Sequence, residues 1–291
     1  QLYNPFVMKF ILLICAALVA VSALKSETKP NVYLKVQYQT SSLLTNRADG
    51  EMISNSGNYV LQVAGKLSYY YDPQTYYIDS LENDPVGSQI CRQAWTDAFE
   101  EFSRTGAKPF EILGEKGFLR KGAYKALKDF NFGKITVWDT AGGDKFRYDV
   151  DMEELSWEIG DSIKNVLGYE CQSATADYHG RKWTAWFAPD VAVQDGPWQL
   201  CGLPGLIMEA TTSDGEYGFI VIGLQKCDEA LKEPFEDDKY FKSTRKSVLK
   251  AKAYSRDNRS QFISGLTGGN VNINDPKFKE KVDYIETDYA E

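Results

Sequence analysis

Apolar and polar residues alternate through 32–38 (VYLKVQY), the period-two pattern of a strand with one buried face. Residues 58–72 (NYVLQVAGKLSYYYD) predict one or two further strands rich in tyrosine, and the polar stretch 40–56 between them predicts a loop. The period then changes. Ile90, Ala94, Ala98, Phe99 and Phe102 recur at helical spacing behind Ser88, which fits an N-cap because its hydroxyl can accept from a free first-turn N–H; Gly106 and Pro109 end the run. From residue 134 onward short strand patterns follow one another, at 134–140, 145–150, 155–159, 171–178 and 182–187, with His179, Gly180 and Arg181 as a hairpin connection between the last two. Residues 206–212 (LIMEATT) and 217–224 (YGFIVIGL) flank Asp214 and Gly215, a strong hairpin signal because the turn needs positive φ at its centre. A second helical pattern covers 239–253. Consecutive strands with short turns predict an antiparallel meander. The expected fold class is therefore α+β: a mainly antiparallel, strongly curved sheet with one packed helix and a C-terminal helical region.

The first residues carry a different pattern. Lys9 precedes an unbroken apolar run over 10–21, and Val21, Ser22 and Ala23 put small residues where signal peptidase accepts them, so cleavage is expected after Ala23 and the mature chain at Leu24. The run is shorter than the roughly 20 apolar residues of a spanning helix, and Lys25, Glu27 and Lys29 follow directly. The expected organisation is residues 1–7 as read-through ahead of Met8, 8–23 as a signal peptide, 24–265 as one domain and 266–291 as a loosely ordered acidic tail, with no transmembrane segment after cleavage. The net charge of −8 argues against nucleic acid as a partner. The eight Lys and Arg of 239–259 read as a solvated helix face, and the tail from Asp275 carries six acids against three lysines.

Residues 183–212 (WTAWFAPDVAVQDGPWQLCGLPGLIMEATT) stand apart for dense turn chemistry. Pro189 follows a strand, Gly196 and Pro197 break the chain again, and Leu203, Pro204 and Gly205 suit a type II turn with Gly205 at positive φ. Three of the six tryptophans, Trp183, Trp186 and Trp198, lie here. Two readings stay open: a tight crossover whose rings fill the core, or a rigid aromatic surface for a partner or small ligand. The residues taken as motif and binding candidates are Trp186, Trp198, Gly202, Leu203, Pro204, Gly205, Leu206 and Ile207.

The string GLPGLI at 202–207, with GPW at 196–198, AWFAPD at 185–190, GRKW at 180–183 and GYECQSA at 168–174, resembles the GLPGLI family of exported Bacteroidota proteins. The likeness covers roughly 155–224. It implies a cell-envelope, periplasmic or secreted protein of unassigned activity, in a family often encoded beside outer-membrane TonB-dependent transport systems, whose proteins are the implied partners. It carries over no catalytic residue.

Candidate chemistry is sparse. His179 is the single histidine and sits in an expected surface turn, so a Ser-His-Asp site or a multi-histidine metal centre has little to draw on. Four cysteines follow the signal segment, Cys91, Cys171, Cys201 and Cys227; none forms a CxxC pair, which disfavours zinc and thioredoxin-like chemistry. In an oxidising compartment they allow three complete pairings that spacing does not separate. A Cys171–Cys201 disulfide is the expected one, and it uses the sulfurs more simply than a soft copper site with His179 and Met208 would. No metal or cofactor is expected: the paired glycines at Gly142 and Gly268 lack the helix and lysine of a phosphate loop. Asp190 and Asp195 bracket the turn-rich loop, so the alternative to a non-enzymatic binding role is a carboxylate hydrolase acting on exported polymers, with one of them as acid or base.

Overall fold

β3 (Leu67–Tyr71) buries Tyr69, Tyr70 and Tyr71 in succession, so both faces of the sheet are covered at its centre. In the computed structural model, which describes residues 30–45, 52–235, 239–258 and 284–289, twelve strands form one sheet. The others are β1 (Asn31–Thr45), β2 (Met52–Ala64), β4 (Lys125–Asp129), β5 (Lys134–Ala141), β6 (Asp144–Asp151), β7 (Glu158–Val166), β8 (Tyr169–Tyr178), β9 (Arg181–Ala188), β10 (Leu206–Thr212), β11 (Tyr217–Ala230) and β12 (Phe241–Lys242). Their order is β12-β6-β5-β4-β3-β2-β1-β11-β10-β9-β8-β7. The expected 1–7, signal segment 8–23 and Gly268 lie outside the described residues.

The strongly curved antiparallel meander is corrected by this arrangement. The sheet is mixed and neither strongly curled nor closed. β12 pairs with β6 in parallel, at Phe241↔Phe146 and Lys242↔Arg147, while every other pair is antiparallel. The reason for the open shape lies in β1, which takes β2 on one side and β11 on the other. That pairing sets the two halves of the chain side by side, leaving β12 and β7 as edges instead of closing one on the other. Polar residues expected in a loop extend this spine: β1 and β2 stay in register from Leu34↔Val63 to Thr45↔Met52.

The helical layer also differs. α1 (Pro73–Glu82) starts behind Asp72, whose carboxylate accepts from Thr75 N at 2.6 Å, with Pro73 preset in the first turn. α2 (Pro85–Thr105) is capped by Asp84, not Ser88, and ends on Gly106 at φ +77°. Its inward face is Cys91, Ala94 and Ala98; Ile90, Phe99 and Phe102 are exposed. Small residues face inward because α2 packs on α1 and α3 (Pro109–Glu115) rather than on the sheet: a Cβ on Gly87 would meet Leu81 O at 2.4 Å. α4 (Arg245–Asp257) packs on β5 and β6 across the opposite face, where Val248 joins the main core. That core contains Val36, Tyr38, Leu61, Tyr70, Ala126 and Val137 from the central strands, together with Trp198, Leu200, Leu203, Leu206 and Ile207.

Candidate functional site

β9 ends at Ala188 and β10 begins at Leu206, and these two residues pair directly. Residues 189–205 therefore leave and re-enter the sheet at one point, forming a crossover folded over the main-core face. Its own backbone fastens it: Gly202 N donates to Gln194 O at 3.0 Å, Ile207 N to Asp195 O at 2.9 Å, and Leu206 N to Val191 O at 3.0 Å. From the sheet below, the Tyr38 hydroxyl donates to Ile207 O at 2.7 Å.

The principal anchor is Lys128 on β4, which is wholly buried. Its ammonium donates to Asp195 Oδ1 at 2.6 Å, Gly196 O at 2.7 Å and Leu200 O at 3.1 Å, so all three N–H groups are used. Asp195 Oδ1 also accepts from Gly196 N at 2.7 Å, while Oδ2 is buried without a partner. Asp190 is exposed in the turn after β9. The two acids thus occupy unlike settings, one in a buried ion pair and one in solvent, and neither arrangement sets a pair of carboxylates across a cleft.

The motif residues divide by environment. Leu203, Leu206 and Ile207 are buried, Gly202 and Pro204 are exposed, and Trp186 is half-buried on β9, with Lys164 Nζ 4.5 Å from its ring centroid. Trp198 is only 3 % exposed and stands at φ +54°. The expected type II turn is corrected: Gly202, at φ +90°, has the positive dihedral, and Gly205 N bonds Leu203 O at 2.8 Å. Gly205 is required for another reason, since a Cβ there would meet Ala188 O at 2.3 Å, where the two strand ends converge. Cys171 and Cys201 are both buried free thiols, so the expected disulfide is absent from the structure. Burial raises the thiol pKa of each, to about 11 for Cys201.

His179 is the clearest reversal. At φ +52° in the β8–β9 hairpin, with Gly180 at φ +80°, it is buried rather than exposed, stacked on Tyr178 at 3.8 Å. Its Nε2 lies 3.1 Å from Gln199 Oε1, which also accepts from the Tyr178 hydroxyl at 3.2 Å, and Gln199 Nε2 donates to Glu286 Oε1 at 3.3 Å. Arg245 on α4 donates to Glu286 Oε2 at 2.7 Å and to both Asp288 oxygens at 2.7 and 2.6 Å. Thr287 N closes the contact on His179 O at 3.0 Å. Residues 284–289, within the expected loose tail, are thus docked against the hairpin, whereas 266–283 lie outside the described residues. Burial and the Arg245 charge lower the His179 pKa to about 4, and burial raises that of Glu286 to about 7 despite Arg245. His179, Glu286 and Asp288 have ligand atoms within 4.8 Å of one another, but the guanidinium already satisfies both carboxylates, and a divalent ion would have to displace it.

Outside this network the crossover walls a groove of about 390 Å³. Pro189, residues 192–195, Pro204 and Gly205 form one side; Tyr33, Val63, the Gly65–Lys66 turn and Phe130 form the other. The sequence locates the crossover, Gln199 included, but not Lys128, Arg245 or Glu286, which come from distant segments with no local signal.

Residues 179–209, from the hairpin histidine through the crossover into β10, match the family model described as a protein of unknown function (Porph_ging), a Bacteroidota-associated family. No curated protein matches the chain. Among solved structures, PNGF-II in space groups P21 and C2 is similar at 10 % identity, with TM-scores of 0.49 and 0.48. The similarity covers 77 % of this chain and 34 % and 33 % of those, so the chain spans about a third of their length.

Proposed function

We propose that the protein is an exported binding protein of the cell envelope, of the GLPGLI family, and that it holds a partner or small ligand in the groove beside the crossover. The observation that carries this reading is the groove itself: both ends of the motif-bearing crossover, Pro189 and Gly205, converge on it, and the exposed ring of Tyr33 faces them from β1. The apolar run at 10–21 supports export, to the periplasm, the outer-membrane periphery or the medium. Among the described residues no helix is long and apolar enough to cross a membrane. The GLPGLI resemblance adds a place beside TonB-dependent transport. The hydrolase alternative gains nothing from the geometry, because Asp195 is committed to Lys128 and Asp190 faces solvent.

The test uses Tyr33, a groove wall that is 46 % exposed. With the protein as bait in envelope extract, the wild type is expected to retain a component that Tyr33→Ala loses, at unchanged melting temperature. Identical capture by both baits, or none above empty resin, would refute the reading.

A further inference from the structure

Residues 284–289 lie against the β8–β9 turn and are held there chiefly by polar contacts; Ile285 is the side chain they pack on the main core. Arg181 donates from Nε and Nη2 to Tyr284 O at 3.2 and 2.8 Å, and the Tyr284 hydroxyl donates to Lys252 O at 2.8 Å. Thr287 donates twice, from N to His179 O and from its hydroxyl to Gly180 O, both at 3.0 Å. The two carboxylates complete the attachment. Arg245 spans them: Nη1 is 2.7 Å from one oxygen of each, and Nη2 is 2.6 Å from the second oxygen of Asp288. Gln199 Nε2 donates to Glu286 at 3.3 Å, and His179 Nδ1 stands 3.6 Å from Asp288.

These are the contacts of a recognised peptide. A tail kept for stability alone would bury apolar side chains, yet the fully buried one here is a carboxylate, Glu286, at 2 % exposure. Taking that group out of water costs free energy that only well-placed donors return. The receiving groups come from three separate parts of the chain, Arg245 from α4, Gln199 from the crossover, and His179, Gly180 and Arg181 from the hairpin. Several are fixed without the segment: His179 stacks on Tyr178, the Tyr178 hydroxyl donates to Gln199, and Arg181 pairs with Asp214 and Glu216. Gly180 leaves room for the incoming backbone, since a Cβ there would meet Thr287 Oγ1 and lie 2.9 Å from Asp288 N.

We infer that Arg245, Gln199 and the His179–Arg181 turn form a binding site for an acidic peptide with two carboxylates in the spacing Glu-x-Asp, and that residues 284–289 fill it as the chain's own competing ligand. A guanidinium suits this ligand because its planar set of donors meets carboxylate oxygens in pairs. A partner's acidic segment gains the site by displacing this strap, which its covalent tether through 259–283 keeps at high local concentration. The site shares no residue with the walls of the groove and does not rest on it.

Fluorescence anisotropy of a labelled peptide, Tyr-Ile-Glu-Thr-Asp-Tyr, against the full chain tests the inference. Thr287→Pro removes the N–H that reaches His179 O, and Asp288→Asn removes a charge from Arg245; both loosen the strap and leave the receiving groups intact. Each variant is expected to bind the peptide about tenfold tighter than wild type, because its own strap competes less. A peptide with glutamine and asparagine in place of the two acids is expected not to bind, and adding Arg245→Met to Thr287→Pro is expected to abolish binding of the acidic one. No binding by either strap variant, equal Kd for wild type and both variants, equal binding of the neutral peptide, or binding retained with Arg245→Met would overturn the inference. Light scattering covers the remaining occupant: a wild-type dimer that Thr287→Pro dissociates would assign the site to strap exchange between copies and overturn it as well.

Discussion

Replacing Lys128 by methionine keeps the length of the side chain and removes its charge and all three donors. In the wild type those donors serve Asp195 Oδ1, Gly196 O and Leu200 O at 2.6, 2.7 and 3.1 Å. The variant leaves a buried carboxylate held only by Gly196 N, and two carbonyls without their lysine donor. Breaking a buried pair from one side costs about 3 to 5 kcal/mol, because the remaining charge is uncompensated. That is a large part of the roughly 5 to 15 kcal/mol that stabilises a typical domain. Adding Asp195→Asn removes the stranded charge and keeps an oxygen for Gly196 N, so Lys128→Met/Asp195→Asn should recover about 1 to 3 kcal/mol of the loss. The orphaned carbonyls prevent full recovery. Urea unfolding followed by tryptophan fluorescence measures all three proteins. A loss below about 1 kcal/mol in Lys128→Met, or a double variant no more stable than the single one, would show that Lys128 does not hold the crossover as argued.

Two predictions concern the crossover ends and the docked segment. Gly205→Ala should destabilise by about 1 to 3 kcal/mol or more, since its Cβ would lie 2.3 Å from Ala188 O and only backbone can yield, whereas Gly202→Ala meets open space and carries only the strain of φ +90°, about 1 to 2 kcal/mol. Thermal melts showing Gly202→Ala as the more damaging change would contradict the close-approach argument. The second concerns pH. Glu286, raised from 4.5 to about 7, stabilises fully below pH 4.5 and loses that contribution as pH rises through 7; His179, lowered from 6.5 to about 4, contributes above pH 6.5 and loses it as pH falls through 4. The two offset each other between pH 4.5 and 6.5, so His179→Asn, which tolerates the positive φ, should leave a protein whose urea midpoint falls from pH 4.5 to 7 more steeply than that of the wild type. Parallel pH profiles for the two proteins would refute it.

What the sequence revealed of the fold was local. The hairpin across Asp214 and Gly215 and the one across His179 and Gly180 are marked by residues that accept positive φ, and both form. Gly106 caps α2 for the same reason. The pairing of β1 with β11 has no such marker, because alternation at 32–38 shows that a strand forms there but not that Val36 meets Leu224. β4 was hidden by its composition: Lys125 and Lys128 look like solvent positions, yet the first pairs with Asp79 of α1 and the second with Asp195. Without β4 the crossover lacks the ammonium that Asp195 pairs with. Without the β1–β11 pairing, a run of hairpins reads naturally as a curling meander.

The candidate site shows the same division. Turn residues located the crossover, and its tryptophans suggested either a filled core or a binding surface. The filled-core reading describes Trp198, which is 3 % exposed in the main core with its ring centroid 5.6 Å from that of Trp183. The string 202–207 places Leu203, Leu206 and Ile207 in the core and brings Gly205 against Ala188, so its composition is explained by a chain that must leave and re-enter a sheet at one paired position. The groove follows from that geometry, because Pro189 and Gly205, the two ends of the crossover, are among its walls. A substitution at Leu203, Leu206 or Ile207 should accordingly act through folding, whereas one at an exposed wall such as Tyr33 should act on what is bound.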